Sequence, residues 1–456
     1  MVHVAHKREV NGAVAGNVHV FHRTKQLSDS DAVHFSIRIE NLAHIGRAYG
    51  DEGARIALAG ICRLLTDLFR GDGIVVPEAN GEIDVVIWNR EVLGGAALPD
   101  VCRAWLTEFC RLVPLLRFDT PLGPLHLAIS GRWEIPDAAM ADDRSGNDRS
   151  GVCSLGFRGA WPDGRPDGGE RYRHDMGLVT DLLSGVMSGA SDDLGRPEFA
   201  LAWQPVCAAS DSDIVLYREA LVRLLDDDGK LHSPGEAFHA LERLGFARVV
   251  DHHVVSLVID ELEEAPDVTL AANISAQSVC DDCWWDQIRA RLVARPDVAR
   301  RLILEITEAA AMPDISAAVR FVTGMRRLGC RIALDDFGTG YASIRQLIAF
   351  SPDFVKIDRF FVRRAAMRDA DRDLLAHLIG VGQSLGGVLI VEGVETAEQA
   401  DAALAAGGHW QQGYHWGRPA LHRSWRKTPG TLCRNSTASI SIRPDSPISQ
   451  GAFHGR

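Results

Sequence analysis

Short apolar runs alternate with amphipathic stretches between residues 200 and 419. Helical patterns lie between most of the runs, over residues 236–264, 284–299, 314–328 and 371–386. The runs have the length and composition of buried strands, and they read ALAWQPV, IVLYREAL, VTLAANIS, RLILEIT, RIALDDF, FVKIDR, VLIVEGV and HWQQGYHW. Strand–helix alternation repeated this often is typical of a parallel barrel with its helices outside. We therefore predict an α/β fold, a (β/α)8 barrel of the TIM type.

The connection between the first two runs is too short for a parallel pair of strands. About seven residues, CAASDSD, join ALAWQPV to IVLYREAL, whereas a parallel crossover needs roughly a dozen or more. We therefore predict that these two strands form an antiparallel hairpin, so that the first strand of the barrel runs against the others.

The rest of the chain divides by composition. Residues 33–133 alternate strand-like and helix-like patterns, which predicts a separate α+β domain. Residues 136–172 are rich in Gly, Asp, Arg and Pro, which is typical of a linker or surface insertion. The predicted division is a flexible N-terminus over 1–30, a first domain over 31–172, a barrel with a leading helix over 173–424, and a disordered tail over 425–456.

Composition excludes several classes of protein. With 46% hydrophobic and 24% charged residues, the chain of 456 residues is neither collagenous nor wholly disordered. No apolar run reaches the roughly 20 residues that span a bilayer, and the polar N-terminus does not resemble a signal peptide. We expect a cytoplasmic protein without a membrane partner. The net charge of −12 disfavours a nucleic-acid polymer as partner.

The nine cysteines are scattered and odd in number, which predicts reduced thiols. Cys280 and Cys283 form one CxxC pair. A zinc site usually needs a second pair or nearby histidines, and neither is close in the sequence. The pair is therefore interpreted as two ordinary thiols.

Almost every predicted barrel strand ends in a polar side chain. Acidic residues are depleted in strands and costly inside an apolar barrel, and active sites of such barrels are built at the carboxyl ends of the strands. The residues concerned are Glu219, Asn273, Glu305, Asp335 with Asp336, Lys356 with Asp358, Glu392 and Gln412.

These side chains predict a metal site with oxygen ligands. Carboxylates this close cannot all stay ionised without cations, and oxygen ligands suit Mg²⁺ or Mn²⁺. Two ions bridged by a shared aspartate could activate a water and stabilise both oxygens of an in-line phosphoryl displacement. The residue types alone therefore predict a metal-dependent phosphodiester or phosphomonoester hydrolase.

Each residue by itself has another interpretation. Glu219 and Glu308 could be charges on the barrel rim, and Asp335–Asp336 could belong only to a turn. Lys356 could be a surface charge paired with Asp358. Asn273 could cap the following helix. All of these alternatives would have to hold together, because the residues occupy corresponding strand ends.

The same region resembles the EAL domain family of bacterial cyclic di-GMP phosphodiesterases. Nine motifs carry the resemblance in order, over about residues 180–421. They are Gln204-Pro205, Glu219-Ala220-Leu221 with Arg223, Asn273-Ile274-Ser275, Leu304-Glu305-Ile306-Thr307-Glu308, Asp335-Asp336-Phe337-Gly338-Thr339-Gly340-Tyr341, Lys356-Ile357-Asp358, Glu392-Gly393-Val394-Glu395, Gln412-Gly413-Tyr414 and Gly417-Arg418-Pro419.

The resemblance implies hydrolysis of 3′,5′-cyclic diguanylate to linear pGpG with Mg²⁺ or Mn²⁺, in a barrel whose first strand is antiparallel. It also implies a homodimer formed through the barrel. The implied ligands are Glu219, Asn273, Glu305 and Asp335 for one ion, and Asp335, Asp336 and Glu392 for the other.

The remaining implied roles concern the water, the substrate and one loop. Lys356 would orient the attacking water, and Glu392 is a candidate acceptor of its proton. Glu308 would hold the loop through Gly338 and Gly340, whose glycines allow a sharp turn. The implied contacts to the dinucleotide come from Gln204, Leu221, Arg223, Asp358, Glu395 and Gln412.

The first domain resembles a degenerate GGDEF (diguanylate cyclase) domain. HFSIRIENLAHIGRAYGDEGARIAL and LFRGDGIVVPEANGEIDVVIW are similar to the start and centre of that family. The signature Gly-Gly-Asp-Glu-Phe is replaced by about Asn80-Gly81-Glu82-Ile83-Asp84, and the metal-binding aspartate falls near Glu40–Asn41. We therefore predict no cyclase activity. The domain could bind GTP or a protein regulator, or be a structural remnant.

Two other functions stay open at this point. The chain could be a non-catalytic receptor or scaffold that binds cyclic di-GMP or a protein, or it could hydrolyse another phosphoester on the same barrel. The complete set of strand-end residues, including Lys356, favours the enzyme.

Overall fold

The chain folds into an N-terminal sheet domain followed by a closed barrel. The computed structural model describes residues 32–69, 71–78, 80–88, 98–135, 150–154, 168–188, 198–225, 230–307, 312, 314–338, 344–384 and 387–426. The predicted flexible N-terminus over 1–30 lies outside these ranges. The predicted disordered tail over 425–456 also lies outside them, except for Trp425 and Arg426. These two residues are ordered, since they donate to Glu261 at 3.0 and 2.9 Å. In the described part of the chain, every helix is too short or too polar to cross a bilayer.

The first domain is a five-stranded antiparallel sheet with two helices. Strand β1 shows why a strand forms here: its alternate residues are buried, and the inward set is apolar. The sheet order is β2-β3-β1-β6-β7, and β4 and β5 form a separate hairpin. The elements are β1 (Val33–Ile39), α1 (Leu42–Leu68), β2 (Gly73–Pro77), β3 (Glu82–Ile87), α2 (Leu98–Leu112), β4 (Phe118–Thr120), β5 (Gly123–Leu125), β6 (Ile129–Glu134) and β7 (Ser150–Ser154).

The second part begins with α3 (Gly168–Ser188) and contains the barrel. Its first half comprises β8 (Glu198–Ala208), β9 (Asp211–Leu225), β10 (Leu231–His232), α4 (Gly235–Leu244), α5 (Ala247–Glu264), β11 (Leu270–Ser275), α6 (Asp286–Ala294), α7 (Pro296–Ala299) and β12 (Leu302–Thr307). Its second half comprises α8 (Ile315–Leu328), β13 (Arg331–Phe337), α9 (Ile344–Phe350), β14 (Phe354–Ile357), α10 (Arg359–Ala365), α11 (Asp369–Ser384), β15 (Val388–Val391), α12 (Ala397–Ala405) and β16 (Trp410–Gln412).

The barrel closes with the strand order β8-β9-β11-β12-β13-β14-β15-β16, and β16 pairs with β8 again. Strand β8 is antiparallel to both of its neighbours, and the other pairs around the barrel are parallel. The predicted barrel and its reversed first strand are therefore confirmed. The short β10 extends the end of β9 outside the closed ring.

The structure differs in detail from two predicted helical stretches and from the predicted irregular segment. The pattern over 236–264 is two helices, because Gly245 ends α4 in a left-handed conformation with φ 75°. The pattern over 284–299 is interrupted at Pro296, which begins α7. The segment 136–172 is not irregular throughout, since β7 pairs with β6 and α3 begins at Gly168. Pairing with a distant strand leaves no periodic signal in so short a run.

Helix α3 joins the first domain to the barrel through buried polar contacts. Asp175 on α3 accepts two hydrogen bonds from Arg243 on α4, at 2.7 and 2.8 Å. On the other side, Asn41 donates to the hydroxyl of Tyr172 on α3 at 3.1 Å. Because Asp175, Asn41 and Tyr172 are buried and Arg243 is half-buried, the pairing fixes α3 against both parts of the protein.

We predict that acid destabilises the fold through buried histidines. Burial lowers the pKa of His126 to about 4, of His252 to about 3 and of His253 to about 4. A histidine with a depressed folded-state pKa stabilises the fold fully above its unfolded pKa of about 6.5, and that stability is lost as pH falls toward the folded value. The free energy of unfolding, measured by chemical denaturation, should fall by roughly 2 kcal/mol per such histidine between pH 7 and pH 5.

His126→Gln tests this assignment, because it removes one titrating group from the interface where His126 meets Phe246. Its loss of stability between pH 7 and pH 5 should be smaller than that of the unmodified protein. The exposed His377→Gln is the matched control and should leave the pH dependence unchanged. Equal pH dependence in all three proteins would contradict the assignment.

Candidate active site

The strand-end residues form one layer at the carboxyl end of the barrel. Directly beneath them lies an apolar layer that fills the barrel. Each member comes two positions before a polar residue in its strand, except on the reversed strand β8, where Val206 comes two positions after Gln204. Since every second side chain of a strand faces the same way, an inward residue at one position places the polar residue two positions later inward as well. The apolar layer is Val206, Tyr217, Ala271, Ile303, Ala333, Phe354 and Ile390.

The register between strands sets which polar residues are neighbours. Asn273 on β11 lies opposite Glu305 on β12, and Gln204 on β8 lies opposite Glu219 on β9. Asn273 donates to Glu219 Oε1 at 2.6 Å. The amide therefore binds a carboxylate of the site and does not act as the cap of the following helix.

Lys356 is the centre of the site and is fully buried. Its Nζ lies 3.1 Å from Glu219, 2.8 Å from Glu305, 3.3 Å from Asp335 and 2.7 Å from Glu392. These four carboxylates come from four different strands or strand ends. The alternative of a surface lysine paired with Asp358 is therefore wrong.

The charges of this cluster shift one another. Burial alone would lower the pKa of Lys356, but the four carboxylates raise it well above its ordinary value. Burial also opposes ionisation of Glu219, yet Lys356 and the hydrogen bonds from Asn273 and Gln412 lower the pKa of that carboxyl. Lys356 therefore stays charged and holds Glu219 as an acceptor.

Two other carboxyls of the site, Glu305 and Glu392, have raised pKa values. Burial, with the charges of Glu219 and Asp335, raises the pKa of Glu305 to about 8. Burial and the charge of Asp335 raise the pKa of Glu392 well above its usual range. Five carboxyls face one ammonium here, counting Asp336, so the site carries an excess of negative charge that a cation would relieve.

Two groups of carboxylates have the geometry to hold a metal ion. One oxygen from each of Glu219, Glu305 and Asp335 lies within 4.8 Å of the others, and the same is true of Asp335, Asp336 and Glu392. Asp335 belongs to both groups. Buried Oε1 of Glu305 and Oδ1 of Asn273 lack a hydrogen-bond partner, and both face this cluster. Oxygen donors of this kind fit Mg²⁺ or Mn²⁺.

Asp336 reaches the site through an irregular backbone. Neighbouring residues of a regular strand point to opposite faces, so Asp335 and Asp336 could not both face the barrel mouth. The pairing of β13 with β14 shifts register after Leu334, and Asp336 has φ 54°. Gly338 follows with φ 104°, and the ring of Phe361 occupies the space that a side chain there would need. Glu308 and Gly340, the other predicted loop residues, lie outside the described residues.

An open cleft of about 430 Å³ leads to these carboxylates. Its walls include most of the residues predicted to contact the substrate, namely Gln204, Leu221, Asp358, Glu395 and Gln412. A second cavity of about 320 Å³ adjoins Glu219 and Asp335 from another side, and Arg223 lines that one. Leu221 lines both cavities, so the six predicted residues are spread over two adjoining cavities beside the acidic cluster.

Some of these residues also have structural partners. Asp358 caps α10 by accepting from the Phe360 amide at 2.8 Å. Glu395 pairs with Arg363 at 2.8 Å on the surface. Gln412 donates to Glu219 Oε2 at 2.5 Å, so this amide supports the carboxylate as well as lining the cleft.

Two cleft residues are absent from the sequence-based set. Arg359 and Tyr414 line the cleft of about 430 Å³, and the guanidinium of Arg418 lies 4.4 Å over the Tyr414 ring. Tyr414 is the last residue of the motif Gln412-Gly413-Tyr414, and Arg359 directly follows Asp358 of another motif. Their position at these motifs could have identified both residues as candidates, but the sequence does not show which side chains there face the cleft.

The chain was compared with models of known protein families. The model of the EAL domain matches residues 189–419 of this chain. The match covers the whole barrel and the residues of the acidic cluster.

Several curated proteins resemble the barrel region. Cyclic di-GMP phosphodiesterase PdeF of Escherichia coli (strain K12) is 28% identical over 238 residues, which are 51% of this chain and 32% of that protein. Cyclic di-GMP phosphodiesterase PdeL of the same organism is 38% identical over 119 residues, 26% of this chain and 33% of that protein. The chain spans about a third of the length of the curated relatives it matches.

Among solved structures, the FimX EAL domain from Pseudomonas aeruginosa bound to c-di-GMP is 25% identical. The match covers 55% of this chain and 99% of that chain, with a TM-score of 0.47.

Proposed function

Because this chain belongs to the EAL domain family, we propose that it is a cyclic di-GMP phosphodiesterase. The proposed reaction is hydrolysis of 3′,5′-cyclic diguanylate to linear pGpG with two divalent ions, Mg²⁺ or Mn²⁺. The names of the relatives PdeF and PdeL support this substrate.

One observation carries the proposal: Lys356 lies buried among four carboxylates at the mouth of the barrel. A structural ion pair needs only one acid. Each further buried carboxylate destabilises the fold unless a bound cation compensates its charge. The excess of acids therefore supports a site built for cations, and a receptor for cyclic di-GMP alone would not require it.

The two carboxylate groups are the proposed ligands. Asn273 would join Glu219, Glu305 and Asp335 through its unpartnered Oδ1, and Asp336 and Glu392 would join Asp335 on the other side. When bound, two such ions polarise a phosphoryl oxygen and make a water nucleophilic.

The chain's own groups would position and neutralise the reacting atoms. Lys356 stays protonated between the carboxylates, so it is suited to donate a hydrogen bond to the attacking water and unsuited to take its proton. Glu392, 2.7 Å from that ammonium at the edge of the cleft, is the proposed acceptor of the proton. Leu221 and Gln204 in the cleft wall and Arg223 in the adjoining cavity are proposed to hold the dinucleotide.

Chromatographic product analysis tests the proposal. The purified full chain is incubated with cyclic di-GMP and Mn²⁺, with Mg²⁺, and with EDTA, beside Glu219→Ala under the same conditions. We expect pGpG with either metal, and none with EDTA or with the variant.

The outcomes separate the competing functions. Intact cyclic di-GMP that binds the protein would contradict hydrolysis and support the receptor. Intact cyclic di-GMP without binding, together with cleavage of another phosphoester, would support a hydrolase of different substrate class. A homodimer through the barrel remains a prediction, which sedimentation can test.

For the first domain, we propose a degenerate GGDEF domain without cyclase activity. The turn between β2 and β3 supports this, because it carries Asn80 and Gly81 where the signature would lie. The carboxylate of Glu82 accepts from Arg38 at 3.0 Å and from Asn80 at 3.2 Å. An acid bound in this way is less available to a metal ion. Binding of GTP or of a protein regulator stays a prediction for this domain.

We predict that GTP and Mg²⁺ yield no cyclic di-GMP with this protein. The assay uses Glu219→Ala, so that the barrel does not consume a product before it is detected, and an active cyclase serves as positive control. Formation of cyclic di-GMP above the rate of a protein-free blank would refute the prediction.

A further inference from the structure

Three thiols meet where the first domain touches the barrel. Cys110 lies on α2, Cys153 lies on β7, and Cys283 begins the 3₁₀ turn Cys283–Trp285 on the barrel side. Sγ of Cys110 lies 4.0 Å from the carbonyl oxygen of Cys153, and Sγ of Cys283 lies 4.0 Å from that of the neighbouring Val152, so Cys153 lies between the other two cysteines. Cys283, the second cysteine of the CxxC pair, therefore lies beside Cys153, which is 130 positions earlier in the sequence.

Backbone contacts hold the thiol of Cys283 against β7. Its Sγ donates to the carbonyl of Val152 at 4.0 Å, directly beside Cys153. A second contact between the domains lies close by, where Gln287 donates to Glu108 of α2 at 3.1 Å. The approach of the two thiols is therefore part of the packing between the domains.

The other two cysteines of this region have different surroundings. Cys280 donates to the carbonyl of Gln277 within its own loop, at 3.6 Å. Cys110 is fully buried and donates to the carbonyl of Cys153 at 4.0 Å. Of the three meeting thiols, Cys283 is the one that is partly exposed to solvent.

We propose that Cys153 and Cys283 are an oxidative modification site at which a disulfide joins the first domain to the barrel. The oxidant is a peroxide. Sulfur of Cys283 attacks one peroxide oxygen, the O–O bond breaks, and a sulfenic acid and water form. Sulfur of Cys153 then attacks the sulfenic sulfur, the S–S bond forms and a second water leaves. The two thiols lose two electrons and two protons, and hydrogen peroxide becomes two waters.

The surroundings of the thiols set the rate of this reaction. The hydrogen bond to Cys110, together with burial, raises the pKa of the Cys153 thiol, and the bond to Cys153 raises that of Cys283. Since the thiolate is the nucleophile, oxidation is slow at neutral pH and becomes faster as pH rises.

The bond would add a second covalent connection between the two parts of the protein. In the reduced chain, the backbone passes from one part to the other through α3. A disulfide between β7 and the barrel turn holds them together at a separate point, so that the first domain could no longer move away from the barrel. The inference does not depend on the proposed phosphodiesterase activity.

Peptide mapping tests the proposal on the full chain. The protein is treated with hydrogen peroxide at pH 8 for hours, free thiols are alkylated, and the sample is digested with trypsin without reduction. We expect the peptide of residues 150–158 linked to that of residues 249–289, lighter by two hydrogens than their sum. The tryptic peptide of residues 104–111 carries Cys110 separately.

The tryptic peptide of residues 249–289 contains both Cys280 and Cys283, so variants are needed to show which of them forms the link. Cys280→Ser should keep the link at the yield of the unmodified protein, and Cys283→Ser should lose it. Thermal denaturation under reducing conditions checks that both variants fold equally. A link from residues 104–111, a link that persists in Cys283→Ser, or no link after the exposed thiols have been oxidised would each overturn the proposal.

Discussion

Asp335→Asn should lower kcat for cyclic di-GMP hydrolysis by about 10³-fold or more. The side chain is the member common to both carboxylate groups, so a single substitution removes a charged ligand from both proposed ions. The replacement has the same shape and relieves repulsion between acids, so the metal-free fold should be at least as stable. Initial rates at saturating Mn²⁺ and thermal denaturation with and without Mn²⁺ measure the two effects.

Asp213→Asn is the matched control for this substitution. It removes the same charge from an exposed position at the β8–β9 hairpin of the same barrel. Its kcat and its stabilisation by Mn²⁺ should equal those of the unmodified protein. Retention of kcat within tenfold in Asp335→Asn would mean that no shared metal ligand is present at this position.

Lys356→Met should abolish hydrolysis and destabilise the metal-free protein by about 3–5 kcal/mol. The ammonium compensates four carboxylates that lie within 3.3 Å of it, and methionine leaves them facing one another without a cation. Metal ions can replace that charge. Mn²⁺ should therefore raise the free energy of unfolding more in the variant than in the unmodified protein, while activity stays lost.

The exposed Lys230→Met provides the comparison, since Lys230 is the other lysine in the part of the chain that the structure describes. It should change neither stability nor rate. Assays of Lys356→Met are run with Mn²⁺ at a temperature where circular dichroism shows a native fold. Activity near that of the unmodified protein under those conditions would exclude a role of Lys356 in the reaction.

Much of the barrel was predictable because its signals are local. Apolar runs such as RLILEIT and RIALDDF bury both faces of their strands and stand out from the amphipathic helices between them. The hairpin of β8 and β9 followed from chain length alone, since seven residues cannot cross a barrel. The breaks at Gly245 and Pro296 were missed, because an apolar period continues across a turn when the helices on both sides pack on the same barrel.

The sequence predicted which residues form the candidate site, but it did not predict the hydrogen bonds between them. Glu305 and Asn273 were found because polar side chains at strand ends conflict with an apolar core. Their hydrogen bonds were not predictable, because the interstrand register decides that Asn273 donates to Glu219 while Glu305 keeps one oxygen free. The sequence also did not predict that the proposed substrate-contacting residues line two cavities.

The sequence by itself determined the strands, the reversal of the first one, the family resemblance and the inward polar residues, since period and spacing are properties of neighbouring positions. Long-range contacts decided how these residues are arranged. Closure of the barrel placed Lys356 among four acids that lie far apart in the chain. A register shift turned Asp336 toward Asp335, and domain packing brought Cys153 to Cys283. Each of these depends on long-range contacts, whose geometry no local pattern encodes.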